Sequence, residues 1–132
     1  MNKRNTEYLF RRYPNLFPEE DRKDPTLSSM WFGFECGDGW FGLIDELCHT
    51  ITLFVSQNKV DPVRVTQVKE KFGGLRFYYH GGNDLIRGMS WFAEALSFTI
   101  CEKCGSKGTL RDNGYLKTLC TLCNKPDNIL KG

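Results

Sequence analysis

The chain has 132 residues, of which 40% are hydrophobic and 14% aromatic, and a formal net charge of +2. That is enough apolar material for one packed domain, and it excludes an intrinsically disordered chain. The small charge lacks the excess expected of a strong nucleic-acid binder, and no stretch approaches the ~18 uninterrupted apolar residues of a membrane span.

The opening residues, Met1 to Tyr8, carry charges but no apolar run behind them, so no secretory signal is expected. The expected compartment is therefore a reducing cytoplasm, where paired cysteines hold metal more often than they form disulfides. Residues 5–13 read as a short helix capped by Asn5 or Thr6 and ended by Pro14, with Leu9, Phe10 and Tyr13 on its apolar face. From Pro18 to Ser29 the sequence is charged and interrupted by Pro25, which predicts an exposed loop.

Trp31-Phe32-Gly33-Phe34 is dense in aromatics and leads through Gly37-Asp38-Gly39-Trp40 into the strongest helical pattern in the chain. Trp40, Leu43, Ile44, Leu47, Cys48, Ile51, Phe54 and Val55 recur at three- and four-residue spacing, which predicts one buried stripe to about Gln57, with Asp38 as N-cap. Residues 63–79 alternate on two arms, Val63 and Val65 on one and Leu75, Phe77 and Tyr79 on the other. They predict an antiparallel hairpin that turns at Lys71-Phe72-Gly73-Gly74, with Arg76, Tyr78 and His80 facing outward. Gly81-Gly82-Asn83-Asp84 then caps a second helix to about Phe98, whose expected core face is Leu85, Met89, Phe92, Ala93 and Leu96, with Ile86 beside it.

The most specific signal follows. Cys101-x-x-Cys104 and Cys120-x-x-Cys123 are separated by fifteen residues, the spacing of a four-cysteine zinc site. Between them Thr109–Arg111 and Tyr115–Leu119 read as strands joined by Asp112-Asn113-Gly114, a strong hairpin signal. The competing reading is two disulfides or plain buried thiols. A structural Zn²⁺ on Cys101, Cys104, Cys120 and Cys123 is the expectation. Four thiolates and one Zn²⁺ together carry two negative charges, so the metal would bring the chain to neutrality. The predicted fold is α+β: two amphipathic helices on an antiparallel hairpin over residues 31–99, preceded by an N-terminal helix and loop (1–30). A zinc ribbon (100–124) and a short tail (125–132) complete it.

Three surface features compete for function. At the hairpin tip, Lys69, Lys71 and Arg76 surround Gly73 and Gly74, a pattern that suits an anion, with Tyr78 and Trp31 available to stack on a base. A solvated turn explains the same residues. The ribbon's Lys103, Lys107, Arg111 and Lys117 suit nucleic-acid phosphates, or simply keep exposed strands soluble. Trp31–Phe34 suits a pocket, a dimer seam or plain core, and Trp40 and Trp91 read most simply as core. Cys36 and Cys48 read as buried small hydrophobes. His49, four residues after Asp45, and His80 have no nucleophile motif near them, so catalysis is not expected.

Gly37-Asp38-Gly39-Trp40 with Leu43–Cys48, then Val68–Tyr78, then the Cys101–Cys123 ribbon, resemble a group of small uncharacterised proteins encoded by phages and prophages. The resemblance covers about residues 35–123. It implies a phage or mobile-element origin and a place in the host-cell cytoplasm, and supplies no activity. The expectation is a non-catalytic accessory protein with a structural zinc. The expected ligand is a phosphate-bearing small molecule, a nucleotide first, bound as a sponge or inhibitor of host antiviral defence. Nucleic acid, a host protein or a second copy of the chain are the alternative partners.

Overall fold

The structure is a computed structural model that describes residues 1–125; the expected tail lies almost wholly outside the described residues. Helix α1 (Lys3–Arg12) starts two residues earlier than expected, because the Asn2 side chain accepts from the backbone N–H of Asn5 and so caps it. Leu9 of α1 and the following Tyr13, Leu16 and Phe17 are all buried. They join the same core as residues 31–99, so the expected boundary at residue 30 is not a packing boundary. Nor is 18–29 simply an exposed loop. It holds a one-turn helix, α2 (Glu19–Arg22), whose Asp21 is buried and paired with Arg64 through two hydrogen bonds. A fork-to-carboxylate pair of this kind fixes geometry as well as charge.

Strand β1 (Phe34–Glu35) was not legible in the sequence. It runs parallel to β2 (Arg64–Lys71), which pairs antiparallel with β3 (Gly74–His80), giving a three-stranded sheet in the order β1-β2-β3. Phe72 and Gly73 form the two-residue turn with φ of 54° and 85°, the primed geometry that matches strand twist. Val65, Val68, Leu75 and Phe77 face the core, and a register shift between Val65 and Gln67 marks a bulge at Thr66.

Helix α3 (Phe41–Gln57) buries Ile44, Leu47, Cys48 and Ile51 as the spacing requires. Asp38 does not cap it. Asp38 opens a short 3-10 turn, and its carboxylate instead accepts from the Asn2 N–H and the Asn5 amide across the start of α1. Helix α4 (Asp84–Ser97) is capped by Asn83 as expected, but its buried face is Ile86, Ala93 and Ser97. Leu85, Phe92 and Leu96, expected in the core, stand on the surface, as do Trp31 and Trp91; of the three tryptophans only Trp40 is buried. Against the sheet, Leu75 N–H donates to Ser97 Oγ at 2.9 Å, and the small Ala93 and Ser97 stand on the buried face. That leaves its large side chains outside. Strands β4 (Thr109–Asp112) and β5 (Leu116–Leu119) complete the α+β fold as a separate antiparallel hairpin beside the four cysteines.

Candidate metal centre and the surfaces around it

The four Sγ atoms of Cys101, Cys104, Cys120 and Cys123 lie within 4.8 Å of one another. Cys104 and Cys120 are 3.6 Å apart, far beyond a disulfide bond and close to the ~3.8 Å edge of a tetrahedron with 2.3 Å metal–sulfur bonds. All six cysteines are free thiols. Each Cys-x-x-Cys pair is wound into a tight turn. Gly105 N–H donates to Cys101 O at 2.9 Å, Cys123 N–H approaches Cys120 Sγ at 3.4 Å, and Asn124 N–H donates to Cys120 O at 3.1 Å. The donor set fits a closed four-thiolate metal site with no position left for a substrate. Hydrogen bonds from Ser106 bring the exposed Cys104 thiol down to about 6, whereas desolvation pushes Cys123 up to about 12.

The residues next to this site explain the two motifs that stood out in the sequence. Glu102 sits between two of the four cysteines in a tight junction with residues 37–40. Its carbonyl accepts from Gly39 N–H at 2.7 Å, its carboxylate accepts from Gly37 N–H at 2.9 Å, and its own N–H donates to Thr118 O. A Cβ on Gly37 would strike Glu102 O, and one on Gly39 would strike Cys101 O. Trp40 Nε1–H donates to Ile100 O at 2.8 Å, which satisfies a buried indole. Gly37-Asp38-Gly39-Trp40 is thus a seat for the metal module.

The hairpin tip is the opposite wall of that seat, which corrects the expectation of an open anion site there. Gly73 and Gly74 are buried: a Cβ on Gly73 would meet Leu110, and one on Gly74 the Phe98 ring. Gly73 N–H already donates to Glu70 Oε2 at 2.7 Å, and Gly73 O accepts from Thr118 Oγ1 at 2.7 Å. Gly73 therefore offers a ligand neither its N–H nor its carbonyl. Arg76 pairs with Glu94 at 2.7 Å, and Lys71 lies over the exposed Phe72 ring. Lys117 bridges Glu70 at 3.0 Å and Glu102 at 3.3 Å. Burial works against its charge, but the bonds to the two carboxylates outweigh burial and raise its pKa. Arg111 donates to Leu119 O. Of the four ribbon cations singled out in the sequence, only Lys103 and Lys107 are exposed.

Lys69 and Tyr78 sit elsewhere, on the outer sheet face. Together with Thr66, His80, Ser28 and Ser29 they line a shallow polar groove of about 460 Å³. No salt bridge takes up Lys69 among the described residues. Trp31 is half exposed in the 3-10 turn that follows Ser28 and Ser29, and is not part of the groove wall. The groove was missed in the sequence because half its wall comes from residues 25–29, which the strand pattern gives no reason to place beside β2.

Cys36 and Cys48 are buried in the core, and burial, with Glu102's charge adding at Cys36, pushes Cys36 up to about 12 and also raises Cys48. Asp45 is held by the Tyr13 hydroxyl and by Arg12, and His49 is exposed. No family model, curated protein or solved structure matches the chain. Among the described residues no helix is long and apolar enough to cross a membrane.

Proposed function

We propose that the chain is a non-catalytic binding protein, with a structural zinc at the four thiolates and a ligand face on the outer surface of the β2–β3 hairpin. The observation that carries the reading is the convergence of Lys69, Tyr78 and His80 from two strands on one polar groove facing Thr66 and Ser28. An unpaired ammonium, an aromatic face and hydroxyl donors are the groups that hold a phosphate and stack a base. The groove volume falls within the ~300–1,000 Å³ of small-molecule sites. The ligand class is a phosphate-bearing small molecule, a nucleotide first. The biological role proposed is that of a sponge or inhibitor directed at host defence, a role common among small phage accessory proteins as a class; the resemblance to uncharacterised phage-encoded proteins itself supplies no activity.

A tetrahedral four-thiolate site suits zinc or iron; a colourless preparation with one zinc per chain would decide for zinc, and a red, iron-containing one against it. Isothermal titration with nucleoside mono-, di- and cyclic phosphates tests the ligand face. Binding in the micromolar range should fall at least about tenfold in Lys69→Gln and in Tyr78→Ala, with zinc content unchanged. Absence of binding at millimolar nucleotide, or equal affinity in both variants, would overturn the reading. A second reading, a protein–protein inhibitor acting through Trp31 and Phe32, is favoured by their exposure of 48% and 63%. It predicts capture of a host protein that Trp31→Ala abolishes and nucleotide does not affect.

A further inference from the structure

The outer face of α4 is the most apolar surface that the fold leaves uncovered. Leu85, Trp91 and Phe92 are each more than 60% exposed, and Leu96 is 37% exposed. At 100° per residue, Leu85, Gly88, Trp91, Phe92, Ala95 and Leu96 all fall within an arc of about 140°; the one charge in that arc, Asp84, stands at the N-terminal end of the helix, paired with Arg87. Large aromatics on a solvated helix face are unusual in a monomer and mark an interface. The small residues are equally pointed. Gly88 lies mid-helix, where glycine is the poorest former after proline, and a Cβ there would meet nothing within 4 Å. Nothing within the single chain explains a glycine at that position.

We infer that α4 forms a two-fold, antiparallel seam with α4 of a second copy of this chain. An isologous contact requires the patch to complement itself, and this one does. With the axis passing near Ser90, Gly88 of each copy lies opposite Trp91 of the second copy, so each large ring covers the gap left by a glycine. Leu85 then faces Ala95 and Leu96 of the second copy along one edge. Along the other edge Arg87 faces Glu94 of the second copy. Arg87 is 59% exposed and holds only Asp84 at 3.4 Å, while Glu94 is already fixed by Arg76 at 2.7 Å. The pairing would therefore add a second guanidinium to an oriented carboxylate. The parallel arrangement sets Arg87 beside Arg87 and Trp91 beside Trp91, and loses both matches. The exposed apolar surface of the two aromatics and two leucines is about 450 Å² per chain, on the basis of ~150–250 Å² for an aromatic. That is roughly half of the ~800 Å² per partner of a stable interface. Ala95, the bare backbone at Gly88, Arg87 and the neighbouring rim of α3 supply the remainder.

Analytical ultracentrifugation of the metal-loaded protein, from low micromolar to several hundred micromolar, reads the proposal directly. The expected result is a dimer of the 15.3 kDa chain. Trp91→Glu should weaken it roughly 30-fold or more, as loss of a central aromatic does. Gly88→Leu supplies an independent signature. It fills open space in the single chain and improves the helix, so the melting temperature of the dilute protein should rise while dimerisation falls at least about tenfold. A monomer at every concentration overturns the inference. A dimer that survives both substitutions with unchanged affinity also overturns it, since the seam would then lie elsewhere.

Discussion

Gly39→Ala is the sharpest test of the claim that the Gly37–Trp40 segment is a seat for the metal module. The added methyl would occupy the position of Cys101 O and crowd Glu102 O, both backbone atoms of the metal-binding turn, which cannot rotate away. Two costs follow. The chains must separate, and overpacking of this kind costs about 1–3 kcal/mol. The 2.7 Å hydrogen bond from Gly39 N–H to Glu102 O lengthens or breaks, at about 1 kcal/mol. Together that is about 2–4 kcal/mol, against the ~5–15 kcal/mol of a typical domain, and a fall of roughly 8–15 °C in melting temperature. Gly42→Ala, three residues later, is the control. Its Cβ meets nothing within 4 Å and it lies in the first turn of α3, so it should be neutral or stabilising by up to about 0.5 kcal/mol. Thermal unfolding followed by circular dichroism, with zinc content measured on both variants, separates the two. If the alanine variants melt within a degree or two of one another, the seat is not as described.

Three other outcomes are expected. Cys101→Ser should lose the metal and several kcal/mol of stability, since structural four-ligand zinc sites carry roughly 10–16 kcal/mol of apparent binding energy; Trp40 fluorescence should shift to the red as its bond to Ile100 loosens, and wild-type stability without metal would refute this. Phe72→Asn relieves a bulky residue from a positive φ at an exposed turn and should stabilise by about 0.5–1 kcal/mol in urea titration, a loss of stability pointing instead to a packed role for the ring. The backbone N–H of Asn2, helped by Asn5, holds the Asp38 carboxyl below the usual carboxylate range. In that acid window the unfolded chain binds more protons, so stability rises with pH; the contribution is complete above the usual carboxylate range and is lost as pH falls through the lowered folded value. Asp38→Asn should therefore flatten the acid limb of the stability curve, and an unchanged limb would count against the hydrogen bonds from Asn2 and Asn5 to Asp38.

What the sequence revealed and what it hid divide by the range of the interaction. The buried stripe of α3, the turn at Phe72-Gly73, the cap at Asn83 and the four-cysteine cluster are fixed by neighbours a few residues apart, and spacing alone exposes them. Strand β1 is two residues long and exists only because β2 offers it an edge. Asp21 looked like one charge among several until the fold brought Arg64 to it. The face of α4 was misassigned for a physical reason: its largest residues are the exposed ones, so hydrophobic periodicity pointed to the wrong side. The glycines at 37, 39, 73 and 74 were legible as special, but not for what. Glycine permits close approach of any group, and only the fold shows that the approaching groups are the cysteine module at 37, 39 and 73 and the Phe98 ring at 74, not a ligand.

The metal site and the groove are connected through the hairpin. Thr118 and Lys117 of the metal module hold the β2–β3 turn through Gly73 O and Glu70, and Glu102 holds Gly37 and Gly39 beyond the end of β1. The module therefore grips both ends of the segment pair that sets the strand order β1-β2-β3. Lys69 and Tyr78 lie within a few residues of that turn, on neighbouring strands whose register places Lys69 opposite Arg76 and Tyr78 opposite Gln67. A one-residue slip would send each to the opposite face. A two-residue turn and a bulge fix part of that register; the Thr118 and Lys117 bonds fix the rest from outside the sheet. A metal held by the four cysteines would have no chemical part in the proposed binding, yet removing it would release the clamp that keeps a cation and an aromatic face on the same side of the sheet.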